Sequence, residues 1–143
     1  IVKVEKMRYD LINLSTVMNP DPKLGGLSFF EGTRDIPFEI KRLYCIFKAE
    51  QETHRGFRAH KTSSQLLFCP YGSVQVLLDD GKKKEKIVLD EPQKGLIIYP
   101  NTWRELTWLK DDSVLCVAVS EYYDPSENTQ DYQEFLQYLE ENK

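Results

Sequence analysis

Residues 54–61 read His-Arg-Gly-Phe-Arg-Ala-His-Lys and carry more information about the fold than any other segment of the chain. In an extended strand, successive side chains point to opposite faces. Arg58 and His60 then share one face, whereas Phe57 and Ala59 point to the other. Because a buried charge persists only with a partner, Arg and His on the inner face of a small barrel predict a site for a polar, anionic ligand.

Short apolar runs on both sides of this segment indicate further strands, with Gly, Pro or Asp between them. Strand-like runs occupy residues 2–4, 40–47, 64–69, 73–78, 86–89, 95–99, 105–109 and 113–119. The turn Asp79-Asp80-Gly81 is a strong hairpin signal between two of these runs. About eight short strands with this punctuation predict an all-β sandwich or barrel.

The C-terminal segment has a different periodicity. Its apolar residues recur at i, i+3, i+4 and i+7: Tyr132, Phe135, Leu136 and Leu139. This spacing predicts an amphipathic helix over residues 129–141 that packs on the barrel or on a second subunit. Asn128 or Thr129 is expected to cap its first turn. With 143 residues and no linker-like segment, the whole chain is expected to form one domain.

Composition excludes several classes of function. The net charge is -4, and no basic stretch is interleaved with stacking aromatics, so nucleic-acid binding is not expected. No apolar run approaches the ~20 residues of a membrane-spanning helix, and no secretion signal is visible. Cys45, Cys69 and Cys116 each lie within an apolar run, which predicts buried free thiols and a cytoplasmic location.

Residues 95–104, Gly-Leu-Ile-Ile-Tyr-Pro-Asn-Thr-Trp-Arg, resemble the second half of a cupin signature, and residues 56–72 resemble the first half. Cupins are small double-stranded β-helix barrels, or jelly rolls, that often hold a metal with three His and one Glu. Here Arg58 stands at the first ligand position, Gln65 lies near the carboxylate position, and Arg104 is near the last. Arginine stays protonated and cannot bind a metal, and His60 alone is not a metal site. We therefore expect neither a metal nor another cofactor.

A closer resemblance covers residues 25–125, most of the chain. Its motifs lie at residues 34–44, 55–61, 65, 77–81, 95–103 and 120–124. Together, in this order, they are similar to the dTDP-4-keto-6-deoxy-glucose 3,4-ketoisomerases, metal-free cupins also known through the WxcM-like domain. The resemblance implies an isomerase of a dTDP-4-keto-6-deoxy-hexose that yields the 3-keto sugar. A separate pyridoxal-phosphate enzyme would then aminate the product for glycan or antibiotic sugars.

The family's motif usually reads Arg-Gly-x-His-Ala-His-Lys, so the second histidine is present as His60 and the first is Arg58. His60 is the expected proton shuttle, since imidazole exchanges protons near neutral pH. Arg58 is expected to stabilise the enediolate and to lower the pKa of His60. Whether Arg58 is a natural working variant, an engineered change or the mark of an inactive site is left open by the sequence.

The resemblance implies further substrate-binding residues: Arg42, Tyr44, Gln65, Trp103, Arg104 and Tyr123. Arg42 is expected to meet the pyrophosphate or the sugar, and Gln65 to orient His60. Arg104, at the rim of the pocket, is expected to influence which face of the enediol is reprotonated. His54 is expected to be exposed and uninvolved.

Two other functions stay open. One is a non-catalytic nucleotide-sugar-binding module that has lost the paired histidines. The other is a 3,5-epimerase-like cupin, whose chemistry usually pairs a His base with an Asp and uses a Tyr acid; no convincing His–Asp pair is visible near His60. The resemblance also implies a homodimer in which N-terminal strands are exchanged.

Overall fold

The computed structural model describes residues 7–143, and within this range the chain forms twelve strands and one α-helix. In chain order the strands are β1 (Tyr9–Asn13), β2 (Ser15–Met18), β3 (Gly26–Phe29), β4 (Arg42–Ile46), β5 (His54–His60), β6 (Gln65–Tyr71), β7 (Val74–Asp79), β8 (Lys84–Leu89), β9 (Lys94–Ile98), β10 (Trp103–Trp108), β11 (Val114–Val119) and β12 (Asn128–Thr129). Helix α1 (Tyr132–Glu141) follows. The strand expected at residues 2–4 lies outside the described residues.

Ten of these strands form two antiparallel sheets. The first sheet has the order β1-β9-β6-β11-β4, and the second has the order β12-β5-β10-β7-β8. Strands β2 and β3 form a separate hairpin. The predicted all-β cupin barrel, a jelly roll with a helix at its C-terminal end, is confirmed.

The main core lies between the two sheets. Leu67 and Val117 from the first sheet share one buried cluster with Val76 and Leu106 from the second. Trp108 is fully buried in the same cluster, and its indole N–H donates to the carbonyl oxygen of Ser113 at 2.8 Å. The apolar inner faces of the strands therefore hold the sheets together, and the polar exceptions among them mark the site.

The first sheet also buries most of its outer face. Leu66, Ile97 and Ala118 point away from the main core and pack with Leu14 and Ile36 from the segments that cross this face. Strands buried on both faces read as continuous apolar runs rather than alternating ones. This explains the run Leu-Leu-Phe-Cys in β6.

The hairpin β2–β3 was not predicted. Its surface and its connecting turn expose Val17, Met18, Leu24 and Leu27, each by 60% or more. These apolar residues therefore contribute little to the packing of the barrel. The two strands were missed because their short sequences show no clear alternation of apolar and polar residues. A lone two-stranded hairpin is marginally stable in water, so this feature bears on the oligomeric state.

Helix α1 covers the second sheet, but its first turn differs from the prediction. Asp131 caps the helix, and its Oδ1 accepts from the backbone N–H of Glu134 at 3.0 Å. Asn128 and Thr129, the predicted capping residues, instead form β12 and pair with His60 and Ala59 of β5. The edge strand β5 of the second sheet offers these residues backbone hydrogen-bond partners, and this pairing replaces the predicted capping of the helix. The predicted apolar stripe is confirmed, since Phe135 packs on Ala59 and Trp103 of the barrel.

We expect Phe135→Ala to lower the free energy of unfolding by about 3–5 kcal/mol, because the ring is 1% exposed and its removal leaves a cavity under the helix. Urea denaturation followed by circular dichroism measures this change. Gln133→Ala, on the exposed face of the same helix, is the control and should change stability by less than about 0.5 kcal/mol. Equal effects of the two substitutions would show that α1 does not anchor the barrel.

Candidate active site

A cavity of about 310 Å³ opens between the two sheets, at the end where polar side chains replace the core. Seven of the eight predicted site residues line it: Arg42, Tyr44, Arg58, His60, Gln65, Arg104 and Tyr123. They come from both sheets, with Arg42 on β4 and Gln65 on β6 facing Arg104 on β10. A volume of this size is in the range of small-molecule sites.

Trp103 is the exception, and its predicted place in the pocket is wrong. Its ring lies on the opposite face of β10, where its centroid is 5.3 Å from that of Tyr132 and 5.7 Å from that of Phe135. Neighbouring residues on a strand point to opposite faces, so Trp103 and Arg104 could not both enter the cavity. Arg104 is also deeper than predicted, since it is only 3% exposed rather than at the rim.

A β-bulge in β5 brings three residues of the predicted segment to the cavity. Arg104 pairs with Arg58, but Glu105 pairs with Gly56, so Phe57 is an extra residue in the ladder. Gly56 and Phe57 both have positive φ angles, 89° and 53°. The extra residue shifts the inward and outward alternation of side chains by one position. Arg55, which an unbroken strand would point outward, therefore lines the cavity together with Arg58 and His60. Sequence analysis assumed an unbroken strand and missed Arg55.

Gly56 has no side chain, and a Cβ atom at this position would lie 3.1 Å from the backbone oxygen of Arg104. The positive φ and this close approach explain why glycine stands at the bulge. The Gly at position 56 was the one signal in the sequence that pointed to an irregular strand here.

Four side chains form a continuous hydrogen-bonded row behind the cavity. The Nη1 of Arg104 donates to the Oε1 of Gln65 at 2.6 Å, and its Nη2 donates to the backbone oxygen of Thr102 at 2.9 Å. The Nε2 of Gln65 lies 3.2 Å from the Nε2 of His60. The Nδ1 of His60 lies 2.6 Å from the Oε1 of Glu127. The predicted contact between Gln65 and His60 is therefore present in the structure.

Glu127 is a partner that sequence analysis missed. It stands 67 positions after His60, in a short 3₁₀ turn (Pro125–Glu127). No local signal links the two residues. The absence of a visible carboxylate partner for His60 was an argument against an epimerase, and the structure removes that argument.

His60 is 4% exposed and is held in its neutral form. Burial, together with the positive charges of Arg104 and Arg58, lowers its pKa to about 4, although Glu127 acts in the opposite direction. Burial also lowers the pKa of Arg104 to about 10, so this guanidinium stays charged at neutral pH. The site thus combines an uncharged imidazole with fixed positive charges.

Arg42 is held between two aromatic rings. Its guanidinium carbon lies 5.3 Å from the ring centroid of Tyr44 and 5.3 Å from that of Tyr123. Such contacts fix the orientation of a guanidinium without consuming its hydrogen-bond donors. Tyr123 is largely exposed, so this side of the cavity is open to solvent.

The remaining predictions concern groups outside the cavity. His54 is exposed, and its Nδ1 lies 3.0 Å from the hydroxyl oxygen of Thr107. All three cysteines are free, as expected, but Cys45 is exposed because it lies on the outward face of the edge strand β4. Among residues 7–143 no group of three or more His, Cys, Asp or Glu side chains is placed to hold a metal ion. In the same range no helix is long and apolar enough to cross a bilayer.

Fold and site together define the class: a small cupin barrel whose cavity is lined by arginines and a buried histidine. The chain belongs to the family described as WxcM-like, C-terminal, whose model matches residues 7–140. The predicted family resemblance is thereby confirmed.

Three relatives cover nearly the whole chain. The TDP-4-oxo-6-deoxy-alpha-D-glucose-3,4-oxoisomerase of Aneurinibacillus thermoaerophilus is 38% identical over 133 residues, 93% of this chain and 94% of that protein. A 3,4-ketoisomerase from Helicobacter canadensis superposes with a TM-score of 0.89 at 35% identity, over 94% of this chain and 99% of its own. A mutant 3,4-ketoisomerase from Thermoanaerobacterium thermosaccharolyticum, in complex with TDP-4-keto-6-deoxyglucose, gives a TM-score of 0.90 at 34% identity, over 96% and 97% of the two chains.

The buried neutral imidazole predicts a pH dependence of stability. The unfolded chain binds a proton at this histidine below about pH 6.5, whereas the folded chain does so only near pH 4. The free energy of unfolding is therefore highest above pH 6.5 and falls as the pH drops toward 4, by on the order of 3 kcal/mol from this group. Urea denaturation at a series of pH values measures the slope.

His60→Gln removes the titrating group and should flatten the slope between pH 6.5 and 4, whatever its effect on absolute stability. Carboxylates away from this histidine contribute equally to both proteins, so the difference between the two curves reports His60 together with its partner Glu127. Parallel curves for wild type and variant would contradict the lowered pKa.

Proposed function

We propose that the protein is a sugar 3,4-ketoisomerase that converts a dTDP-4-keto-6-deoxy-hexose to the corresponding 3-keto sugar. The observation that carries this proposal is the buried, uncharged His60 in one cavity with Arg58 and Arg104, in a family whose relatives bear this activity. The 3,5-epimerase alternative now ranks lower on the ground of those relatives, not on the lack of a carboxylate partner.

The reaction needs a base that reaches two neighbouring carbons. The ketone at C4 makes the hydrogen on C3 acidic, and the Nε2 lone pair of His60 takes it as a proton. The electron pair left behind forms a C3=C4 double bond, and the negative charge lies on the oxygen of C4. The hydroxyl proton of C3 passes to this oxygen, the imidazolium returns its proton to C4, and the oxygen on C3 becomes the ketone. Atoms and electrons balance within the substrate, so no oxidant or reductant takes part.

Arg58 and Arg104 supply the electrostatic part of the mechanism. A guanidinium does not act as a base at neutral pH, but it stabilises negative charge on the oxygens as the enediolate forms. The Nε of Arg104 is buried and finds no hydrogen-bond partner among residues 7–143. Since Arg58 stands in place of the family's usual first histidine, His60 both removes the proton from C3 and returns it to C4.

The nucleotide part of the substrate requires cations and donors nearer the opening. Arg42 and Arg55 are suited to the pyrophosphate, since guanidinium groups bind oxyanions with two parallel hydrogen bonds. Tyr44 and Tyr123 place hydroxyl groups at the same wall of the cavity. These assignments follow from position and chemistry, and the TDP-sugar bound by the Thermoanaerobacterium relative supports a ligand of this class.

We further propose that the chain acts as a single-domain homodimer in the cytoplasm. The exposed apolar hairpin β2–β3 is the support for the dimer, because a second copy would cover side chains that the barrel leaves in water. The three free thiols support a reducing compartment.

Incubation with dTDP-4-keto-6-deoxy-glucose in deuterated buffer tests the activity. We expect proton NMR to show loss of the C3 proton signal and growth of a 3-keto product. His60→Asn should lower kcat by about 10²- to 10⁴-fold, because it removes the base. His54→Asn, on the same strand but outside the cavity, is the matched control and should keep wild-type turnover.

Full turnover by His60→Asn would show that another group moves the proton. Substrate binding by calorimetry without exchange at C3 would contradict the isomerase proposal and would favour the non-catalytic binding module. A large gain of turnover in Arg58→His would mean that Arg58 marks a lost activity rather than a stabilising cation.

Sedimentation velocity tests the dimer. We expect a species of about twice the 16.8 kDa chain mass and a shift to the monomer in Leu27→Glu, which places a charge on the apolar face of the hairpin. Lys23→Glu, in the exposed turn of the hairpin, should leave the dimer intact. A wild-type monomer at micromolar concentration would contradict the homodimer.

A further inference from the structure

The carboxylate of Glu127 is enclosed by the segment that follows β5. Its Oε1 accepts from the hydroxyl of Ser63 at 3.0 Å, in addition to its contact with His60. Its Oε2 accepts from the backbone N–H groups of Thr62 at 3.3 Å and Ser63 at 3.4 Å. Its own backbone oxygen accepts from the N–H of Lys61 at 2.7 Å. Main chain and side chain of Glu127 are thus both fixed against residues 60–63.

The turn that carries Glu127 is fixed as well. The Oδ1 of Asp124 accepts from the backbone N–H of Ser126 at 3.0 Å and from its hydroxyl at 2.6 Å. The next residues continue into β12, which pairs with β5. Glu127 therefore meets His60 from a backbone that is held on both sides, which is what precise orientation of an imidazole requires.

The contact with Glu127 determines which ring nitrogen of the neutral His60 carries the hydrogen. Burial by itself would raise the pKa of Glu127, but hydrogen bonds from His60, Thr62 and Ser63, together with the electrostatic attraction of His60, outweigh it and lower the pKa. An ionised carboxylate only accepts hydrogen bonds. The Nδ1 of His60, 2.6 Å away, must therefore carry the hydrogen.

The same proton can be placed independently from the side of Arg104. Because a guanidinium only donates, the atom of Gln65 that faces Arg104 is its oxygen, which directs the amide NH₂ toward His60. An amide NH₂ also only donates, so the Nε2 of His60 must be the acceptor. Both ends of the row require the same tautomer, with hydrogen on Nδ1 and a lone pair on Nε2.

We propose that Glu127 is a positioning residue that holds His60 in the Nδ1–H tautomer, so that the Nε2 lone pair is the atom that removes the substrate proton. This inference rests on the proposed ketoisomerase function for its catalytic meaning. The 3.2 Å contact from Gln65 is the weakest in the row, and the substrate displaces it when its C3–H approaches Nε2. Glu127 touches no reacting atom and acts through His60.

Nitrogen-15 NMR of histidine-labelled, ligand-free protein tests the tautomer directly. The chain has two histidines, so the spectrum is simple, and His54 provides an internal reference. We expect the correlation pattern of His60 to show a protonated Nδ1 and an unprotonated Nε2. This measurement needs no substitution, and an Nε2–H tautomer in the wild type would overturn the inference.

Glu127→Gln tests the cause. A carboxamide has one oxygen, which cannot serve both His60 and the backbone N–H groups of residues 62 and 63. We expect a smaller population of the Nδ1–H tautomer and a fall in kcat of about 10²-fold or more, with KM changed little. Glu127→Asp keeps the charge and should restore part of the tautomer population and of kcat.

Glu121→Gln is the matched control. The Oε2 of Glu121 accepts from the hydroxyl of Thr62 at 2.7 Å. Glu121 thus contacts the same segment after β5 as Glu127 does, but its carboxylate makes no hydrogen bond to His60. Glu121→Gln should leave the tautomer of His60 and the kcat unchanged. If Glu127→Gln keeps the wild-type tautomer, the inference fails even when the enzyme is an active ketoisomerase. If the tautomer changes but the wild type has no isomerase activity, it is the proposed function that fails.

Discussion

Where Arg58–His60 of β5 lies beside Trp103–Arg104 of β10, both faces of the two strands are covered, and the rest of the structure depends on this constraint. One face, with Ala59 and Trp103, is covered by Phe135 of α1. The other face carries Arg58, His60 and Arg104 into the cavity. Without the helix, the apolar face would lie in water. Burial of the polar face depends on the hydrogen bonds that Arg104 donates to Gln65 and His60 donates to Glu127. Helix, barrel and site therefore depend on the same pair of strands.

Much of this could be predicted from sequence, because the signals concerned are local. Alternation places Arg58 and His60 on one face, the period of 3.6 identifies α1, and turn residues separate the strands. The features that were missed depend on tertiary structure. Glu127 meets His60 only after β12 has paired with β5. Trp103 is a different case, since the family resemblance implied its place in the cavity although alternation with Arg104 on the same strand excludes it. Arg55 needed a bulge, whose only local trace is Gly56. The hairpin β2–β3 carries no alternation that sequence could reveal.

The electrostatics of the cavity contrast with those of the chain as a whole. The protein is acidic, with a net charge of -4, yet Arg42, Arg55, Arg58 and Arg104 converge on one cavity. Between low-dielectric walls, such a cluster attracts anions far more selectively than a diffuse basic surface does. Burial is the main reason why the pKa of His60 is lowered, and Arg104 and Arg58 of this cluster add to it. Two of the four arginines thus both make the cavity positive and help to keep the imidazole uncharged.

The distance in sequence between His60 and Glu127 has a consequence for synthesis of the protein. A ribosome makes His60 long before it makes the turn that orients it, and β5 waits equally long for β12 and α1. Contacts of such high sequence separation form late and slowly. Until the residues of β12 and α1 have left the ribosome, β5 has an unpaired edge and His60 lacks its carboxylate partner. The histidine is therefore oriented only after every other strand of both sheets has been synthesised.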